Sequence, residues 1–324
     1  VAPVLAAENL HVWFELDGSR ELHAVRGIEL TLEPGERFGL VGESGCGKTT
    51  AILALMGLLP SSASVAGRVL LDGVDILARG EESVSPHRWR DIAMVFQGAM
   101  NAFNPVKRIA DQIVEPMELH GIATGSEARR KAGELLELVG ISPERGDRFP
   151  HEFSGGMRQR AAIAMALACE PRVLLADEPT TALDVMVQAQ ILNLLVRLAE
   201  DLGLALVLVT HDLPVVAQTC NRAAVMYAGR IVESGPTETL YHDPRHPYTR
   251  LLFAATPDLY GEGDVASIPG TPPPLDREPA GCPFAPRCDS AFEPCASVEP
   301  RPLPVGPAHE AECHLNDPAT RAAS

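Results

Sequence analysis

The spacing of apolar positions changes period several times along this chain, and each change predicts an element. Asn9 to Phe14 alternates apolar and polar residues, Ile28 to Leu32 repeats the two-residue period, and Asp17-Gly18 between them signals a turn. Glu36 to Val41 reads as a further strand and runs straight into a glycine-rich loop. Beyond it the pattern predicts a helix from Lys48 to Leu59, closed by Pro60, which cannot continue a helix.

Residues 98–165 read mostly as helix. Glu127 to Val139 carries apolar residues at helical spacing with Ser126 as its cap, and Arg158 to Cys169 forms another helix. Val173 to Ala176 is a short apolar run, the pattern of a parallel strand buried on both faces. Helix, strand and helix follow at Val187–Leu202, Ala205–Val209 and Leu213–Cys220. This alternation predicts an α/β fold with a mostly parallel sheet, a β-rich segment before it and a helical subdomain at about 98–165.

The texture changes after residue 255. Twelve of the 28 prolines lie between Pro269 and Pro307, too many for a regular helix or a central strand. Residues 1–255 therefore read as one domain and 256–324 as a second, small one that needs something other than a core to hold it.

Composition narrows the partners. A net charge of −16 argues against nucleic acid, whose phosphates require a basic face. The longest apolar runs, 51–59 and 161–169, hold nine residues each, whereas a membrane span needs roughly 17–25. Nothing near Val1-Ala2-Pro3-Val4 resembles a signal peptide, so a cytoplasmic chain is expected.

Four blocks carry the chemistry. Gly42-Glu43-Ser44-Gly45-Cys46-Gly47-Lys48-Thr49 fits G-x-x-x-x-G-K-[ST]. Its glycines let backbone N–H groups surround phosphate oxygens at a helix start. Lys48 is expected on the β- and γ-phosphates, the Thr49 hydroxyl on Mg²⁺ and Thr50 on a further phosphate oxygen, while Cys46 fills a free position of the motif. Asp177 and Glu178 end the strand from Val173 and point opposite ways, so they take different tasks. Asp177 holds Mg²⁺ through water, and Glu178 orients and deprotonates the attacking water. Ser154-Gly155-Gly156-Met157 and Thr210-His211-Asp212 complete the set.

In this order the blocks resemble an ABC transporter ATPase subunit. The resemblance implies that Ser154, Gly155, Gly156 and Met157 contact the γ-phosphate of ATP held by an opposite subunit, and that Asp184 crosses the same interface. Gln97 is implied between Mg²⁺ and a membrane partner, and His211 on the γ-phosphate. Phe153 stands where the family usually has Leu, and Gly98-Ala99 where it usually has Asp-Pro. Of two neighbouring aromatics, Phe14 is preferred to Trp13 for stacking on adenine.

Three further stretches resemble the ATP-binding subunits of dipeptide/oligopeptide ABC importers. They are ADEPTTALDVMVQAQ (176–190), RHPYT (245–249) and Cys282-x5-Cys288-x6-Cys295-x17-Cys313. The residues alone suit a [4Fe–4S] cluster or tetrahedral Zn²⁺, with disulfides as a third alternative after metal binding. The resemblance points to the cluster. It also implies a second ABC ATPase as homo- or heterodimer partner, two transmembrane permease subunits, an extracytoplasmic solute-binding protein, and a place on the cytoplasmic face of the membrane. The alternative is an ABC ATPase of a soluble complex, such as a phosphonate-breakdown accessory subunit.

Overall fold

The computed structural model describes residues 2–16, 20–98, 102–255 and 268–321; the Asp17-Gly18 turn, Ala99 and the boundary expected at 255/256 touch residues outside these. In chain order the elements are β1 (Leu5–Leu16), β2 (Arg20–Leu32), β3 (Arg37–Val41), α1 (Lys48–Leu55), β4 (Ala63–Leu71), β5 (Val74–Asp75), α2 (Glu81–Val84), β6 (Ile92–Val95), α3 (Ile109–Leu119), α4 (Gly125–Leu138) and α5 (Gly155–Ala166). Then come β7 (Val173–Asp177), α6 (Val185–Leu202), β8 (Ala205–Thr210), α7 (Leu213–Thr219), β9 (Arg222–Tyr227), β10 (Arg230–Pro236), α8 (Thr237–His242), α9 (Pro247–Ala254), β11 (Leu303–Gly306), β12 (His309–Ala311) and α10 (Pro318–Arg321). The chain forms two compact units.

The first unit takes in Val1–Leu5, Leu32–Arg37 and Ile76–Val209. Its strands β6, β7 and β8 pair in parallel, with Ile92 opposite Val173 and Asp177 opposite Val209. Every residue of these three strands is buried, as continuous apolar runs require in a sheet covered on both faces. α6 buries one apolar stripe, Ile191, Leu194, Leu195 and Leu198 among it.

The second unit takes in Ala6–Thr31, Phe38–Asp75 and Thr210–Ser324. One sheet runs β2-β1-β4-β5. In another, β3 pairs with β9 in parallel, and β9, β10, β12 and β11 follow in antiparallel order. The sheet of this unit is therefore mixed. The proline-rich tail contributes a hairpin to it, Ala311 lying opposite Glu233 and Glu310 opposite Ser234. Pro304 is tolerated because β11 is the outermost strand, where no partner needs its missing N–H.

Helix ends depart from the sequence pattern for local reasons. α1 stops at Leu55, four residues early, because Gly57 turns left-handed (φ 59°). The Leu58 N–H then returns to Leu53 O and the Gly57 N–H to Ala54 O, which closes the helix before Pro60 is reached. α4 takes Thr124 rather than Ser126 at its cap position. α5 begins at Gly155 rather than Arg158 because the Ser154 side chain accepts the Met157 N–H. Such a cap contributes about 1 kcal/mol, enough to offset roughly half the cost of two glycines in a first turn. α6 starts two residues early through the same device, Asp184 accepting the Val187 N–H.

Candidate functional site

β3 delivers the glycine-rich loop, and the surrounding backbone dictates its glycines. A Cβ on Gly42 (φ 157°) would lie 2.2 Å from Met226 O, and one on Gly47 (φ 106°) 2.4 Å from Ala24 O. No other residue fits either position. Gly47 supplies no side-chain cap to α1, so the first-turn N–H groups present positive dipole ends to a ligand. Lys48 is 5% exposed, and its Nζ donates to Gly42 O at 2.7 Å and Glu43 O at 3.0 Å. Cys46 is buried beneath the loop with its Sγ 3.8 Å from Lys48 Nζ, and burial raises its thiol pKa. The structure thus brings Gly42, Glu43 and Cys46 of the loop to the ammonium.

The loop is gripped by residues that sequence reasoning left without a task. The Glu43 N–H donates to Tyr248 Oη at 2.9 Å, and Arg287 donates to both Glu43 carboxylate oxygens, at 2.7 and 3.0 Å. The RHPYT stretch builds this grip. Buried Glu233 accepts from the N–H groups of Arg245 and His246 and pairs with His309. His246 in turn accepts the Tyr248 N–H on Nδ1 and so caps α9. Burial holds the His246 pKa down to about 3, so the ring stays neutral and keeps that acceptor role at any physiological pH. Tyr248 then packs with Tyr227 and Phe284, all three at 1% exposure or less.

Trp13 is occupied by a stack: its ring lies 4.5 Å from that of His23 and 5.2 Å from that of His11. Phe14 follows it on β1 and points to the opposite face, half-buried. If Phe14 is the adenine platform, Phe14→Ala should raise the KM for ATP about tenfold or more, and Trp13→Ala should not; steady-state ATPase kinetics separate the two.

In the first unit the carboxylates at the end of β7 differ in burial, because the strand stops at Asp177 and the chain turns left-handed at Glu178. Asp177 is 1% exposed, while Glu178 is half-exposed with φ 40°. A left-handed Glu stores about 1–3 kcal/mol of strain, and here its N–H is anchored on Val209 O at 2.9 Å. Gln97 Nε2 and Thr181 Oγ1 both donate to Glu178 Oε2 at 3.0 Å, fixing the carboxylate direction. Ser154 is exposed at the start of α5, and Asp184 at the start of α6 is followed by the exposed Val185 and Met186. Gly156 allows α5 to approach α6, since its Cβ would fall 2.7 Å from a Val187 methyl. Phe153 is 4% exposed and acts as a core anchor beside the cap. His211 is exposed after β8, ahead of Asp212, whose side chain caps α7.

The four tail cysteines are free thiols. Among the described residues no three His, Cys, Asp or Glu side chains converge closely enough to hold a single metal ion, so the expected metal centre is not assembled as such. The thiols nevertheless share one locale. The Cys282 N–H bonds to Cys295 O at 2.9 Å, and Cys282, Cys288 and Cys295 all act electrostatically on the Cys313 thiol. Burial first, then the neighbouring thiols, pushes Cys282 up to about 11 and Cys313 to about 12.

The ABC transporter family profile matches residues 25–181, and the profile of the oligopeptide/dipeptide transporter C-terminal region matches residues 232–295. The dipeptide transport ATP-binding protein of Bacillus subtilis is 45% identical over 320 residues, 97% of this chain and 95% of its own length. The chain belongs to the ATP-binding subunits of peptide ABC transporters. An oligopeptide transport ATP-binding protein of Mycobacterium tuberculosis is 48% identical over 318 residues, but the chain spans only 52% of that relative's length. Among solved structures, a dimeric ATP-binding cassette in a post-hydrolysis state with ADP and Pi superposes with TM-score 0.64 at 28% identity, over 72% of this chain and 98% of that one. The fold is therefore that of an ABC ATPase. Within this family of subunits, the matched C-terminal region contains Glu233, His246, Tyr248 and Arg287, the residues that grip the loop. Among the described residues no helix is long and apolar enough to cross a membrane.

Proposed function

We propose that the chain is the MgATP-hydrolysing subunit of a peptide importer, working on the cytoplasmic face of a membrane. Its partners are a second cassette, identical or related, two transmembrane permeases and an extracytoplasmic solute-binding protein. The observation that carries this reading is the pair at the end of β7: a buried Asp177 beside a Glu178 whose carboxylate is aimed by Gln97 and Thr181. Similarity to peptide-transport subunits through residues 232–295 favours import over a soluble complex.

Each residue's part follows from its chemistry. The loop N–H groups of Ser44 to Thr50 receive the triphosphate, and Lys48 exchanges carbonyl oxygens for β- and γ-phosphate oxygens. Thr49, Gln97 and Asp177 offer hard oxygen donors that fit Mg²⁺; the Gln97 amide bonds Glu178 through nitrogen and keeps its oxygen for the ion. When bound, Mg²⁺ neutralises charge on the phosphate oxygens. Glu178 takes the proton of the attacking water, and His211 steadies the γ-phosphate. Ser154 and its glycines present a capped helix start, with Asp184, to nucleotide held by the partner cassette.

We assign the tail to a small domain after residue 255 and propose, on the family resemblance of its cysteine pattern, that Cys282, Cys288, Cys295 and Cys313 would hold a [4Fe–4S] cluster. The spacing Cys282-x5-Cys288-x6-Cys295-x17-Cys313 lacks the paired C-x2-C knuckles common in structural zinc sites, and this supports the cluster over a single Zn²⁺. Bound there, the cluster would supply four coordinate bonds between the turns that carry these cysteines. Protein purified without oxygen should be brown, with iron and acid-labile sulfide in equal amounts; a colourless product with one zinc per chain would defeat this assignment.

A further inference from the structure

We propose that Arg287, far along the chain in the cysteine-bearing tail, is a positioning and charge-compensating residue for nucleotide binding. The proposal rests on the reading that the loop from Gly42 to Thr49 binds MgATP. G-x-x-x-x-G-K leaves Glu43 as a free position, yet the structure holds all its polar groups. The carboxylate receives the Arg287 fork at 2.7 and 3.0 Å, the N–H donates to Tyr248 Oη at 2.9 Å, and the carbonyl accepts from Lys48 Nζ at 3.0 Å.

Arg287 is itself over-determined. Its side chain is 4% exposed, Nε donates to Pro269 O at 2.7 Å, and Nη1 also reaches Tyr227 Oη at 3.2 Å. The guanidinium carbon lies 5.7 Å from the Tyr227 ring centre and 5.9 Å from that of Phe284. These partners leave the fork one orientation, toward the loop.

Two consequences follow for a polyanionic ligand. A bare carboxylate in the phosphate loop would repel a triphosphate, and the Arg287 pair cancels that charge where water can screen it only in part, Glu43 being 24% exposed. The same pair fixes the Glu43 peptide, whose carbonyl directs the Lys48 ammonium before nucleotide arrives. A pure staple between tail and loop would give only the stability half of this.

The test is isothermal titration of MgATP into the full chain and its variants, with thermal unfolding measured alongside. Arg287→Met should raise Kd about tenfold, since it leaves a like charge facing the ligand. Adding Glu43→Gln to that variant should bring Kd most of the way back, although the ion pair is still absent. An unchanged Kd for Arg287→Met, or a double variant as weak as the single, would overturn the proposal. Should Arg287→Met not fold, Arg287→Lys decides: one ammonium in place of the fork should raise Kd about threefold, and no change refutes the idea. A wild-type chain that does not bind MgATP refutes the nucleotide reading instead.

Discussion

Replacing Glu178 by glutamine is expected to lower the ATP hydrolysis rate of the assembled importer about 10²- to 10⁴-fold while leaving MgATP bound. The substitution keeps the shape of the side chain and one oxygen for the Gln97 and Thr181 donors that now meet Oε2. What it removes is the ability to accept a proton from water. The effect therefore falls on kcat, and Kd for MgATP should change little. Because Asp177 is 1% exposed, it is not open to the attacking water and is not expected to take over the proton. A variant with near-normal turnover would show that the base lies elsewhere.

Lys48→Ala carries the second large expectation: loss of measurable MgATP binding in titration, with hydrolysis falling to background. The ammonium is 5% exposed and anchored on two carbonyls of its own loop. An alanine leaves those carbonyls without their donor and leaves the triphosphate without the one cation the motif provides. If the Lys48→Ala chain binds MgATP as tightly as the wild type, the loop is not the nucleotide site.

The phosphate loop was legible because it is local. Glycines, lysine and threonine lie within eight positions, between a strand and a helix that their own periodicities announce. The different burial of Asp177 and Glu178 was expected from strand alternation, but it comes from the left-handed turn at Glu178, which ends the strand and which the sequence pattern does not announce. The α1 end was misread because Pro60 is a visible stop while the earlier left-handed turn at Gly57 depends on a single dihedral.

Arg287 gave no signal. It is one arginine among prolines and cysteines, and its partner Glu43 is 244 positions away. The RHPYT stretch was noticed as a resemblance, but its purpose needs the fold: Glu233 and His246 set the turn that carries the Tyr248 phenol to the Glu43 N–H. The tail hairpin was hidden by its brevity. Seven strand residues beside several prolines offer too short a pattern for alternation to emerge, and only β10 supplies the edge that orders them.

The central claim is that MgATP lies between two cassettes, with this chain contributing a complete face to each nucleotide. A structure of the assembled transporter, made with the Glu178→Gln chain and trapped with MgATP, tests it most directly. The account predicts a triphosphate on Lys48 capped by the serine–glycine turn of the partner cassette, and Ser154 of this chain against the partner's nucleotide. A triphosphate seated on Lys48 but remote from any neighbouring subunit would contradict it.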